Sequence, residues 1–165
     1  MKQLARYFYA SMICVTGLAA SADTLSAAGG MSCYMRVYDG QHLARNPSQK
    51  VSRIMFALDP DNLGGQKPKF GGVLRLNVKG ATELFTGSSY CTNERGQLVC
   101  RIEGDGGTFK IKPGSNDGLM IDVVGDGLRF EGNSGFAEVG GNTSDDNRFI
   151  LSRVETELCG VKSKR

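Results

Sequence analysis

The chain contains no tryptophan and a single histidine, His42, and nothing past its first residues approaches the roughly 20 apolar positions a membrane-spanning helix needs. It also has almost no stretch with apolar residues at helical spacing, no serine in a Gly-x-Ser-x-Gly setting, and no marked excess of charge of either sign. Each shortage removes a class of function. One histidine, with the four remaining cysteines expected in disulfides, cannot build a three-histidine or mixed zinc site. In "DGQHLARNP" it stands beside a turn, where it reads as a surface or capping residue rather than a general base. Without Gly-x-Ser-x-Gly there is no nucleophile elbow for a hydrolase. The 20 basic residues nearly balance the 17 acidic ones, whereas a nucleic-acid phosphate backbone calls for a clustered surplus of Lys and Arg. The one basic run, Lys162-Ser163-Lys164-Arg165, reads as a solvated tail.

What is present begins with an export signal. Met1 to Arg6 carries two positive charges, a mostly apolar stretch follows, and Ala20-Ser21-Ala22 supplies a small-residue cleavage site, so processing is expected after Ala22. Cys14 lies inside this stretch, but Ser11-Met12-Ile13 before it lacks the small residues of a lipid-attachment site. The expected organisation is a signal peptide over 1–22, a flexible segment over 23–31, one domain over 32–160 and a basic tail over 161–165. The destination is the extracellular space or a bacterial-type periplasm, with no transmembrane anchor and a monomeric chain. Four cysteines follow the signal, Cys33, Cys91, Cys100 and Cys159, and an even number in an exported chain favours disulfides over metal ligation or catalysis.

Short alternating runs broken by Gly, Asn, Asp and Pro dominate the rest, which is an all-β pattern. Ile54, Phe56 and Leu58 alternate with Ser52, Met55 and Ala57, and Leu74, Leu76 and Val78 alternate with Val73, Arg75, Asn77 and Lys79. Further strands fit 33–38, 84–91, 98–103, 108–112, 119–124, 128–131 and 148–155. A helical turn or two fits Gln41 to Arg45, ended by Asn46-Pro47. Some eight to ten short strands predict a small single-domain antiparallel barrel, calycin-like in architecture, with a β-sandwich as the alternative. The Gly-x-Trp signature of lipocalins is impossible here, because the chain has no tryptophan.

Turn chemistry sets the expected registers. A turn centred between Arg95 and Gly96 places Cys91 opposite Cys100, within reach of a disulfide. Cys33 and Cys159 are then left to each other, and their bond makes the first and last strands neighbours, as a closed barrel requires. "GDGGTF" at 104–109 and "GDGLRF" at 125–130 read as two Asp-Gly hairpins. The first sets Ile102 opposite Phe109, Cys100 opposite Ile111 and Arg101 opposite Lys110, with Lys112 following on the same charged face and Glu103 placed to offset the repulsion. The second sets Val123 opposite Phe130 and Asp122 opposite Glu131.

Neither glycine segment suits a phosphate, since a strand rather than a helix follows each. "DPDNLGG" at 59–65 resembles the start of a calcium loop, yet Leu63 takes a ligand position and Phe70 stands where the bidentate Glu belongs. Opposed carboxylates at Asp122 and Glu131 would have the spacing of a retaining glycosidase, but a solvated face gives neither the raised pKa an acid catalyst needs. No catalytic, cofactor or metal site is therefore expected. The candidate surface residues are Arg101, Lys110, Lys112, Asp122 and Glu131, a charged face suited to an acidic partner. The function expected is that of an exported, non-catalytic binding protein taking a small apolar ligand or a partner protein in the manner of an inhibitor. A structural or interaction component of the cell envelope is the alternative, ahead of a glycosidase-type enzyme using Asp122 and Glu131.

Overall fold

The computed structural model describes residues 32–59, 69–142 and 144–160. The expected signal and flexible segment over 1–31, the loop of residues 60–68 carrying most of "DPDNLGG", and the tail from 161 onward lie outside them. Among the described residues there are ten strands and one short α-helix: β1 (Ser32–Val37), α1 (Gly40–Arg45), β2 (Val51–Asp59), β3 (Lys69–Val78), β4 (Phe85–Glu94), β5 (Gln97–Ile102), β6 (Thr108–Pro113), β7 (Leu119–Val124), β8 (Leu128–Gly132), β9 (Gly135–Val139) and β10 (Arg148–Val154). A 3-10 turn at Thr156–Cys159 follows the last strand. Among the described residues no helix is long and apolar enough to cross a membrane.

Eight of the strands close into an antiparallel barrel in the order β3-β2-β1-β10-β7-β6-β5-β4, with β4 returning to β3. Closure rests on β1 pairing with β10, and the Cys33–Cys159 disulfide ties the first strand to the 3-10 turn just beyond the last. Cys91 lies opposite Cys100 and is bonded to it. The hairpin between them turns on Arg95 and Gly96, at φ 55° and 81°. Both are in the left-handed region, as the favoured two-residue hairpin loop requires.

Inward-facing residues fill the barrel. Phe56, Phe109 and Phe149, with Ile54, Leu74, Leu76, Leu98, Ile121 and Leu151, belong to one buried cluster, and the Phe56 and Phe109 rings meet edge to face 5.8 Å apart. The alternation in β2 has a bulge at its start: Val51 pairs with Val78 and Arg53 with Asn77, leaving Ser52 extra. Val51 and Ile54 therefore both reach the core despite their odd spacing. Met55 and Ala57 face outward from the barrel and are nevertheless buried, because they pack with Cys33 and Cys159 beneath the 3-10 turn.

Two expected hairpins are corrected. Arg101 lies opposite Thr108, Lys110 opposite Val99, and Cys100 opposite Phe109, a register two residues from the one an Asp105-Gly106 turn predicts. Gly106 is drawn out of that hairpin because its carbonyl accepts from the Arg129 amide at 3.0 Å, so the connection lengthens to residues 103–107. A shift of two keeps every side chain on its expected face. At 125–130 there is no hairpin: β7 pairs with β6 and β10, while β8 pairs with β4 and β9. Gly127, at φ 120°, turns the chain out of the barrel wall, and a Cβ there would meet the Val139 carbonyl at 2.8 Å. The β8–β9 hairpin then sends Leu128, Phe130, Ala137 and Val139 into the common core. Strand β9 was not expected, since its five residues between glycine-rich turns are too few to show a period.

Candidate functional site

Antiparallel pairing arranges outward side chains into rows across neighbouring strands. One row runs from Thr92 on β4 through Val99, Lys110 and Asp122 to Arg148 on β10. Asp122 is the anion of this row, set between Lys110 and Arg148. Its carboxylate accepts from Lys112 Nζ at 2.8 Å and from Arg148 Nε at 2.6 Å, and only 16% of its side chain is exposed. Partial burial pushes the Asp122 carboxyl up, but the hydrogen bonds and charges of Lys112 and Arg148 outweigh it and hold the group below the usual aspartate value. A carboxylate so held keeps its charge and is a poor proton donor. On the same wall Arg101 pairs with Glu94 at 2.8 Å, the partner that relieves its charge in place of the expected Glu103. The Arg101 and Thr92 hydrogen bonds lower the Glu94 pKa in turn.

Lys110, Lys112, Asp122 and Arg148 line an open groove on this wall. Of the five candidate surface residues, Lys110, Lys112 and Asp122 line this groove, Arg101 lies on the same wall, and Glu131 does neither. It sits on β8 opposite Phe136 and beside Thr86 of β4, in a separate groove with Glu103, Asp105 and Arg129. The cross-strand pair of Asp122 and Glu131 is thereby corrected: the strands that carry them do not pair, so the two carboxyls do not flank a common bond. Arg148 was missed as a wall residue. Nothing local in the sequence links it to Asp122, 26 positions earlier.

His42 has a structural setting. The Asp39 side chain caps α1 by accepting from the His42 amide at 2.7 Å, and the imidazole lies 4.8 Å from the Tyr38 ring. Gln49, buried, donates its amide to the Val51 carbonyl and so presents Oε1 to His42 Nε2 at 3.0 Å. That assignment makes Nε2 the protonated nitrogen. Among the described residues, no three of His, Cys, Asp or Glu stand close enough to hold a metal ion.

No known protein family, curated protein or solved structure matches the chain. The wall and the interior must speak for themselves.

The ion pairs at Asp122 carry a pH signature. A carboxyl whose folded pKa is lowered adds stability above its ordinary pKa and loses it as the pH falls through the lowered value. Asp122→Asn is accordingly expected to cost about 1 kcal/mol at neutral pH, since one anion serves two cations but both are well solvated. The cost should vanish in acid. Urea denaturation of the two proteins across a pH series reads the difference, and one that stays constant into acid would exclude the charge as its source.

Proposed function

We propose that the protein is an exported, non-catalytic binding protein that engages its partner through the outer surface of the barrel. The observation that carries this reading is the filled interior: Phe56, Phe109, Phe130 and Phe149 are all fully buried within the core. A ligand-carrying barrel keeps a chamber, and here phenylalanine rings occupy that space. Two disulfides in a chain of this size favour an oxidising compartment, which agrees with the signal-like first 22 residues. The separation of Asp122 from Glu131 takes away the carboxylate pair on which a glycosidase reading depended.

Native mass spectrometry of the protein purified from its own host tests this directly. The expected species begins at Asp23, holds both disulfides and carries no small-molecule adduct, with a fraction in a heavier complex that raised salt dissociates. A stoichiometric small molecule on the chain, or a cytosolic form retaining Met1, would overturn the reading.

A further inference from the structure

The barrel wall has an apolar strip that solvent exposure alone does not explain. Outward positions of a one-face-buried antiparallel sheet are ordinarily polar. On this wall, however, Ile150 of β10 is 53% exposed and Val37 of β1 is 59% exposed. Ile150 pairs across to Met120, and Met120 to Lys112, while on the other side Val37 pairs with Arg53. Since β1 and β10 are neighbours in the barrel, continuing their register sets Val37 beside Ile150. The result is a row reading Lys112, Met120, Ile150, Val37, Arg53, cationic at both ends and aliphatic in the middle, with Arg148 one step along β10.

Building on the surface-binding reading above, we propose that this wall is the docking surface for an acidic partner protein. Protein interfaces place an apolar centre inside a polar rim, and arginine is enriched there. Charge complementarity sets the sign of the partner. Asp122 is the one acidic residue among the outward side chains of β6, β7 and β10, and it stands against Lys110, Lys112 and Arg148. The excess positive charge would speed encounter with an acidic surface and orient it, while the aliphatic row supplies area that gains by leaving water. An acidic polysaccharide would satisfy the cations but leave Ile150 and Val37 solvated, and the row offers no aromatic ring for a sugar to stack on. The groove around Glu131 is a weaker candidate. Its Phe136 is 61% exposed with the Arg129 guanidinium 4.1 Å from the ring, but the other charges lining it, Glu103, Asp105 and Glu131, are acidic and would repel an acidic partner.

Amide shifts of the isotope-labelled protein test the proposal with three probes: a peptide of alternating Glu and Leu, polyglutamate, and polygalacturonate. The Glu-Leu peptide is expected to shift residues around Met120, Arg148 and Ile150, to bind more weakly as salt rises, and to bind more tightly than either polyanion. Ile150→Ser and Arg148→Ala should each weaken it about tenfold, as truncation of a central interface residue does. Both side chains are exposed, so thermal melting should show folded variants. Polygalacturonate binding the wall as tightly as the peptide would overturn the proposal in favour of a carbohydrate partner. Shifts confined to the Phe136 groove, or none with any probe, would overturn it as well. Each of these results leaves the surface-binding reading standing, because that reading is decided separately by whether a small molecule accompanies the native protein.

Discussion

Replacing Cys33 and Cys159 together by alanine is expected to lower the unfolding free energy by roughly 5 kcal/mol, against somewhat under about 3 kcal/mol for Cys91 and Cys100. The difference comes from the unfolded chain. A disulfide removes loop-closure entropy that grows with the logarithm of the enclosed length, and the separations are 126 and 9 residues. The long bond also ties β1 to the 3-10 turn just beyond β10, its partner at the barrel seam, so its loss loosens that turn from the strands it packs on. Alanine is preferred to serine because Cys91 and Cys100 are completely buried, where an unpartnered hydroxyl would add its own cost. Urea denaturation of the two double variants under oxidising conditions makes the comparison. Equal losses, or a larger loss from the short loop, would exclude loop entropy as the main source of stabilisation.

Phe56→Ala is expected to cost about 3–5 kcal/mol, because the ring is fully buried and contacts both sides of the core. It meets Phe109 edge to face on one side. On the other it lies against the backbone of Gly72, where a Cβ would come within 2.6 Å of the ring. The Gly72 carbonyl accepts from the buried Ser89 hydroxyl at 3.0 Å, which holds that backbone in place. Gly72→Ala alone should therefore overpack the site and cost about 1–3 kcal/mol. Combined with Phe56→Leu, the added methyl gains room, and the double variant should lose less than the two single losses together. Strict additivity in thermal or urea unfolding would show that the ring and the glycine do not share one space.

Alternation along β2 and β3 placed Ile54, Phe56, Leu58, Leu74 and Leu76 on one face of each strand, and all are core residues. The Arg95-Gly96 turn set the one local register that a two-residue loop determines by itself, and with it the Cys91–Cys100 bond. Where a connection answers to something distant, local reading fails. Gly106 gives its carbonyl to Arg129, which moves the β5–β6 register by two. Asp126-Gly127 has the composition of a hairpin, yet the strands on either side of it pair elsewhere.

Asp146 is the clearest case. In "TSDDN" it looks like a solvated loop residue, but it is fully buried, and its carboxylate accepts from the amides of Lys50 and Val51, some 95 positions away. Burial pushes its pKa up against the pull of those amides and of the Ser144 hydroxyl. The charged wall divides in the same way. That Lys110, Lys112 and Asp122 face outward follows from a period of two, whereas the meeting of Asp122 with Arg148, and of Ile150 with Met120, depends on β10 lying beside β7. The sequence by itself determined the all-β class, the inward and outward faces and both disulfides, because periodicity, turn residues and cysteine positions act over a few residues or through simple elimination. Only the tertiary structure decided the other neighbours, such as β7 beside β10 and β8 beside β4, since these are chosen by burial and hydrogen bonding among segments far apart in the chain.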